Sequence, residues 1–326
     1  MESLRDIGEF GLIDRIAKLT PSNASVLEGI GDDCAVVQVG DRVIVISCDL
    51  TVEDIHFRRR YATAEEIGWK AAATAVSDIA AMGCKPKFML CALSCPSETP
   101  LEFLDGLYFG IRGVTDKFDI AIVGGDTTKA VDRITLDVTV IGESAHGRYL
   151  MRNGAKEEDV LFSTGPLGLA KAGLHALEND LPVPETLREA CLRPHPRVAE
   201  GLWLCARPEV HAMMDISDGL IQDAGHIARR SDVGVVLDPV DENMFAALVP
   251  YMDVLGLDGS TCFLQGGEDY ELLFCVAPDC ADALAFEYAK HFGDAPLRIG
   301  VCTKSGSGVM IKGGVPYLMG FDHFRE

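Results

Sequence analysis

The chain has 326 residues, more than one hydrophobic core usually serves, so two domains are expected. Apolar residues make up 48%, yet no run approaches the roughly 20 residues of a membrane helix. A net charge of −21 argues against nucleic-acid and anionic-membrane surfaces but leaves room for a small anionic ligand if metal ions intervene.

The N-terminal Met1-Glu2-Ser3-Leu4-Arg5-Asp6 carries acids and no apolar signal core, and the eleven cysteines form no C-x-x-C pair. Reduced thiols in a cytoplasmic protein are expected. Phe10, Ile13, Ile16 and Ala17 recur at helical spacing, which predicts a helix over Glu9 to Leu19, closed by Pro21. Ala35 to Val39 and Arg42 to Ser47 read as a β-hairpin turning on Gly40-Asp41. Asp33 would enter its first strand and Asp49 leave its second, so the hairpin would bring the two acids together. Thr63-Ala64-Glu65-Glu66 fits a capping box and opens an alanine-rich helix running to about Met82. Lys87 to Ser94 reads as a strand, and Thr99-Pro100-Leu101-Glu102 as a cap, a first-turn proline and a capping acid for a helix to about Lys117. Ile120 to Val123 is expected to be a buried strand opening into a Gly124-Gly125-Asp126-Thr127-Thr128 loop, followed by a strand over Arg133 to Gly142.

The polar stretch Glu143 to Asp159 separates two halves, placing the boundary near residue 148: domains 1–148 and 149–326. In the second half Val160 to Ser163 reads as a strand, and Thr164-Gly165-Pro166-Leu167-Gly168 as a turn into a helix, a weak phosphate-cradle signal. Ala212 to Met214 leads into Asp215-Ile216-Ser217-Asp218-Gly219-Leu220, after which Ile221, Ala224, Ile227 and Ala228 continue as a helix. Val233 to Leu237 reads as a strand, Asn243 to Leu255 as a helix, and Gln265 to Glu271 as a loop feeding a strand over Leu272 to Val276. Strands and helices then alternate to Lys312. The fold class is α/β (α+β).

Acids stand beside small residues at the ends of apolar segments five times: Asp32-Asp33, Asp49 after Ser47-Cys48, Asp78 after Ser77, Asp126 after Gly125, and Asp215 with Asp218 around Ser217. Any one of these is an ordinary turn or cap. Together they match the need of a multi-ion Mg²⁺ and phosphate centre, because Mg²⁺ takes hard oxygen ligands and shares them with phosphates. Asp78 lies near a helix C-terminus, unfavourable for an anion unless a cation compensates, and a solvated surface Asp is the plainer alternative.

With these motifs assembled, the chain resembles the thiamine-monophosphate kinases, in the superfamily typified by aminoimidazole ribonucleotide synthetase and selenophosphate synthetase. The resemblance runs from Gly8-Glu9-Phe10 to Gly320-Phe321-Asp322-His323-Phe324. It is carried by Gly29-Ile30-Gly31-Asp32-Asp33, Ser77 to Gly83, Gly124 to Thr128, Asp215 to Leu220 and Gly266 to Leu272. It implies transfer of the ATP γ-phosphoryl group to thiamine monophosphate (TMP), and an N-terminal sheet that pairs with a second subunit's into a barrel across a homodimer. It also implies Mg²⁺ ligands at Asp33, Asp49, Asp78, Asp126, Asp215 and Asp218, with Ser47 and the backbone near Cys48 beside them. Asp33, Asp126 and Asp218 would be the catalytic acids. ATP contacts would come from Tyr108, Gly125, Asp126, Arg152 and Ser217, and TMP contacts from His56, Glu268 and Phe321. Cys48 stands where the family commonly has threonine, so a carbonyl rather than a hydroxyl is its expected contribution.

Read without the resemblance, Arg152 is a surface arginine in a linker, His56 a structural histidine, Glu268 part of a turn, and Phe321 a lid on the core. His195, His226 and His323 read as capping or packing. Two alternatives remain open: another ATP-using enzyme of the superfamily, and a non-catalytic Mg-nucleotide-binding scaffold. No Cys occurs in residues 1–33 and none ends the chain, which disfavours a selenophosphate synthetase and a scaffold with a reactive C-terminal cysteine.

Overall fold

The computed structural model describes residues 3–238, 245–304 and 308–312. Two mixed sheets, each of six strands among those residues, organise the chain. In the first half come α1 (Leu4–Leu19), β1 (Val26–Glu28), β2 (Ala35–Val39), β3 (Arg42–Val52), α2 (Ala64–Ala81), β4 (Lys85–Cys95), α3 (Leu101–Phe118), β5 (Ala121–Lys129) and β6 (Thr135–Glu143). The strands lie in the order β1-β2-β3-β6-β4-β5. The second half contains β7 (Val160–Ser163), α4 (Leu169–Glu178), α5 (Glu185–Leu192), α6 (Val198–Cys205), β8 (Val210–Asp215), α7 (Leu220–Ser231) and β9 (Gly234–Leu237). It continues with α8 (Val249–Leu255), α9 (Gly259–Gln265), β10 (Leu272–Val276), α10 (Ala281–Phe292), β11 (Leu297–Thr303) and β12 (Val309–Ile311). Its strands lie in the order β12-β9-β11-β7-β10-β8.

The predicted hairpin is present, Val39 pairing with Arg42 across Gly40-Asp41, but β3 runs on to Val52 because β6 pairs with it along nearly its whole length. Asp49 is therefore inside a strand. The helix expected over Glu9 to Leu19 begins earlier, at Leu4, and is interrupted at Gly8, whose φ of 68° is left-handed. The capping box at Thr63 closes as expected, Thr63 and Glu66 bonding reciprocally. At α3 Pro100 itself is the N-cap and makes no side-chain cap bond, so the reading of Thr99 as the cap is wrong by one position. The helix expected over Asn243 to Leu255 begins at Val249 among the described residues.

The largest departure is at Gly124-Gly125-Asp126. These residues are not a loop: β5 continues through Lys129, paired in parallel with Leu90 to Cys95 of β4. Partner hydrogen bonds overrode poor local strand propensity. A Cβ at Gly125 would sit 1.8 Å from the Cys91 carbonyl oxygen, so the glycine serves close approach of two backbones. Nor is the strand buried. It is the sheet edge, exposed at all nine positions.

Helix α2 lies between the halves. One hydrophobic cluster joins its Ile67, Val76 and Ile79 to Val138 and Val140 of β6 and, across the boundary, to Phe162 of β7, Met213 of β8 and Phe274 of β10. Alanines 71, 72, 73, 75, 80 and 81 are all buried, so short side chains bring the helix backbone close to both sheets. Against α3 the approach is closer still: a Cβ at Gly110 would lie 1.9 Å from the Glu65 carbonyl oxygen. Gly110→Ala should therefore destabilise the fold by at least about 2 kcal/mol, as overpacking of a rigid backbone contact does; urea unfolding measures it.

Candidate metal centre

The inner face of β3 is set by strand alternation: Val43, Val45, Ser47 and Thr51 are buried toward α2, and Asp49 shares their face. From α2, Ser77 and Asp78 meet them one turn before the helix ends. The Ser47 hydroxyl donates to Asp78 Oδ2. Ser77 Oγ donates to Asp215 Oδ2 at 2.6 Å, reaching from the first half into the end of β8. Asp33, Asp78 and Asp215 each offer a carboxylate oxygen, all within 4.8 Å of one another. Arg152 closes one side, its Nε and Nη2 donating to Asp33 Oδ1 at 3.0 and 2.5 Å while its backbone N–H donates to Asp32 at 3.1 Å. Asp33 Oδ2 is buried without a hydrogen-bond partner.

Burial and mutual repulsion dominate the electrostatics. Burial, then the charges of Asp49, Asp215 and Asp33, push the Asp78 carboxyl well above the usual carboxylate range. Asp215 is pushed up to about 7 by burial and then by Asp33, and Asp32 to about 7 by burial and then by Asp33. Asp49 is raised by burial, partly countered by a hydrogen bond from Thr74. Water is a poor replacement for a cation here: an oxygen-only donor set, an orphaned carboxylate oxygen and raised affinities for protons all fit a hard divalent ion such as Mg²⁺.

The remaining predicted residues separate. Asp218 sits beside Asp223 and His226, whose ligand atoms also lie within 4.8 Å. Asp223 Oδ2 accepts the backbone N–H groups of Asp218 and Gly219, and its Oδ1 is buried without a partner. Burial first, then Arg152, holds His226 neutral, with its pKa at about 3. The reading of His226 as capping or packing agrees with its ring contact on Phe10, 4.8 Å between centroids, and one of its ring nitrogens also lies within 4.8 Å of carboxylate oxygens of Asp218 and Asp223. Asp126 stands on exposed β5, lining a shallow cavity of about 90 Å³ with Ser94, Thr128 and Asp137. Tyr108 and Gly125 line an adjoining depression with Cys91 and Asp126. Cys48 points to the face opposite Ser47 and Asp49, its thiol donating to Asp137 Oδ1 at 3.2 Å. His56 accepts the Val52 N–H through Nδ1 at 3.0 Å. Arg152 is no surface linker residue but half-buried against Asp33, and Phe321 lies outside the described residues.

Glu268 and Ser217 come together because two loops are stapled. The Glu268 and Tyr270 N–H groups donate to the Ser217 and Ile216 carbonyls at 2.8 and 2.9 Å. Glu268 and Tyr270 are both left-handed, at φ 67° and 52°. The weak phosphate-cradle signal at the start of α4 fails, because Asp269 already accepts the N–H groups of Gly168 and Ala170 there at 2.6 and 3.2 Å. Sequence reasoning singled out Asp32 with Asp33 but gave it no role, and missed Asp223 and Lys70. The available signal for Lys70 was a cation on the same helix face as Thr74, Ser77 and Asp78.

Models of the AIR synthase related protein N-terminal and C-terminal domains match residues 31–144 and 156–312. Thiamine-monophosphate kinase from Bacillus subtilis (strain 168) is 35% identical, the match covering 97% of this chain and 99% of that one. The enzyme of the same name from Escherichia coli (strain K12) is 36% identical, with 97% and 98% covered. The solved structure described as AaThiL complexed with AMPPCP and TMP superposes with a TM-score of 0.85 at 30% identity, covering 99% of each chain. The two-sheet fold and its carboxylate centre thus define an AIR synthase related protein, and within that class the chain belongs to the thiamine-monophosphate kinase family.

The raised carboxyls make stability depend on pH in a stated direction. Unfolded aspartates ionise near 3.8, whereas Asp32 and Asp215 in the fold ionise at about 7. The folded chain therefore binds those protons more tightly, and the resulting stabilisation is complete below the lower value and is lost as pH rises through the upper. In EDTA the stabilisation from these groups should fall as pH rises from about 4 to about 7 and level off above that, read as a falling melting temperature, and Mg²⁺ should raise the melting temperature most at the higher pH.

Proposed function

We infer that this chain catalyses ATP-dependent phosphorylation of TMP, giving thiamine diphosphate and ADP. The observation that carries the reading is the Asp33, Asp78 and Asp215 triad, with Asp33 and Asp215 buried and Asp78 half-buried, taken with family membership and the likeness to a structure holding an ATP analogue and TMP. The acceptor is a phosphate oxygen already ionised at neutral pH, so a strong general base is unnecessary. The obstacle is repulsion between two polyanions.

Asp33, Asp49, Asp78, Asp126, Asp215 and Asp218 would hold several Mg²⁺ ions, with Ser47 and the Cys48 carbonyl beside them. Mg²⁺ held there would supply charge neutralisation for an in-line phosphoryl transfer without a covalent enzyme intermediate. The protein's part is positional. Ser47 and Ser77 orient the Asp78 and Asp215 carboxylates, and Arg152 fixes Asp33 while keeping a planar charge near the phosphates. Tyr108, Gly125, Arg152 and Ser217 belong to the ATP side; His56, Glu268 and Phe321 to the TMP side.

Residues 1–148 and 149–326 form the two domains of this reading, acting in the cytoplasm. A homodimer in which the first sheets of two copies pair is supported by the edge strand β5, exposed along its length, and by the exposed Phe88, Ile122 and Val123. Among the described residues no helix is long and apolar enough to cross a membrane.

ADP release with Mg-ATP should be stimulated by TMP and not by free thiamine. Asp78→Asn should lower kcat by at least about a hundredfold while the protein stays folded. Mg-ATP binding without TMP-dependent ADP release in the wild type would rule out this acceptor and favour a scaffold.

A further inference from the structure

The inward face of α2 carries Lys70, Thr74, Ser77 and Asp78, a spacing that puts all four on one side of the helix. Three of them serve the carboxylate centre. Thr74 bonds Asp49, Ser77 bonds Asp215, and Asp78 accepts from Ser47. Lys70, two turns earlier, is only 5% exposed and its ammonium lies 2.8 Å from Glu268 Oε1. Burial works against its charge, but Glu268 together with Cys191 and Tyr61 raises its pKa, so the group stays an ammonium.

Glu268 is a demanding residue to place. It sits in a left-handed conformation that a side chain adopts at a cost, in a loop where a Cβ at Gly267 would lie 2.5 Å from the Ser217 carbonyl oxygen. Backbone bonds to Ser217 and Ile216 fix the loop, and Asp269 ties it to α4. Neither aims the Glu268 side chain. Its contact with Lys70 does, and it crosses from the first half of the chain to the second. The Glu268 side chain remains 27% exposed, so a carboxylate held by Lys70 can still face a ligand.

We propose that Lys70 is a positioning residue for the acceptor: it locks Glu268 so that its carboxylate meets the cationic part of TMP, and it ties acceptor placement to the helix that also holds the metal ligands. This rests on the reading of the site as a TMP kinase. Lys70 pairs with Glu268 rather than with the carboxylates of the centre. Its effect falls on binding of one substrate.

The test compares wild type, Lys70→Met and Lys70→Arg in steady-state kinetics against both substrates, with thermal melting to establish folding. Methionine keeps the stem's packing and removes the charge. Lys70→Met should raise KM for TMP by about tenfold or more, leave KM for ATP within about twofold, and lower kcat less than KM rises. Lys70→Arg should recover part of the loss. A folded Lys70→Met enzyme with an unchanged KM for TMP, or with equal damage to both substrates, overturns the assignment. Should Lys70→Met fail to fold, Lys70→Arg decides: an unchanged KM for TMP with Glu268→Gln equally silent overturns it, and a TMP-selective rise supports it. Absence of TMP turnover in the wild type overturns the functional reading itself and this inference with it.

Discussion

The constraint on which the rest of the structure depends is the burial of several carboxylates against one face of α2. Unpaired charges cannot be placed there at neutral pH without a large desolvation cost, so the site exists only where protons, Arg152, serine and threonine hydroxyls or a cation share the load. Helix α2 meets that demand by being two things at once. Its alanines let it pack against both sheets, and its few polar side chains are spent on the acids that those sheets bring to it.

This arrangement explains why the acids come from distant parts of the chain. Asp33 precedes the first hairpin, Asp49 lies inside β3, Asp78 is in the last turn of α2 and Asp215 ends β8 in the other half. Ser77 to Asp215 and Lys70 to Glu268 cross between halves, so the geometry of the centre follows from how the second sheet docks on α2. Dense packing around the helix, including the Gly110 contact with Glu65, leaves little freedom for that docking. An acidic protein that handles anionic substrates is no paradox on this basis: the acids gather cations, and the cations gather phosphates.

Much of this was legible in the sequence, for identifiable reasons. The hairpin, the capping box at Thr63 and the strands Val160–Ser163 and Leu272–Val276 follow local chemistry and appeared where expected. The repeated acids beside small residues pointed to an oxygen-ligand centre, and the fold gathers Asp33, Asp78 and Asp215. What failed was decided by partners. Gly124 to Thr128 has weak strand propensity yet is a strand, because β4 supplies its hydrogen bonds. Cys48 and Asp49 are adjacent in sequence but face opposite sides of the sheet, so only Asp49 joins the inner acids. Asp223 carries no local pattern that distinguishes a site from a helix surface, and Lys70 only its place on the same helix face as Asp78. Their roles are visible only once Glu268 and Asp218 stand beside them.

The central claim is that the inner carboxylates hold protons when no cation is present and surrender them to one. Calorimetric titration of Mg²⁺ into the metal-free protein at about pH 7, in two buffers of different ionisation enthalpy, counts the protons released on binding. The account predicts release of about one proton or more per protein, with Asp32 and Asp215 both near half-ionised at that pH. Saturable binding with no proton release would contradict it, because the acids would then be fully ionised without a cation and something else would have to hold their charge.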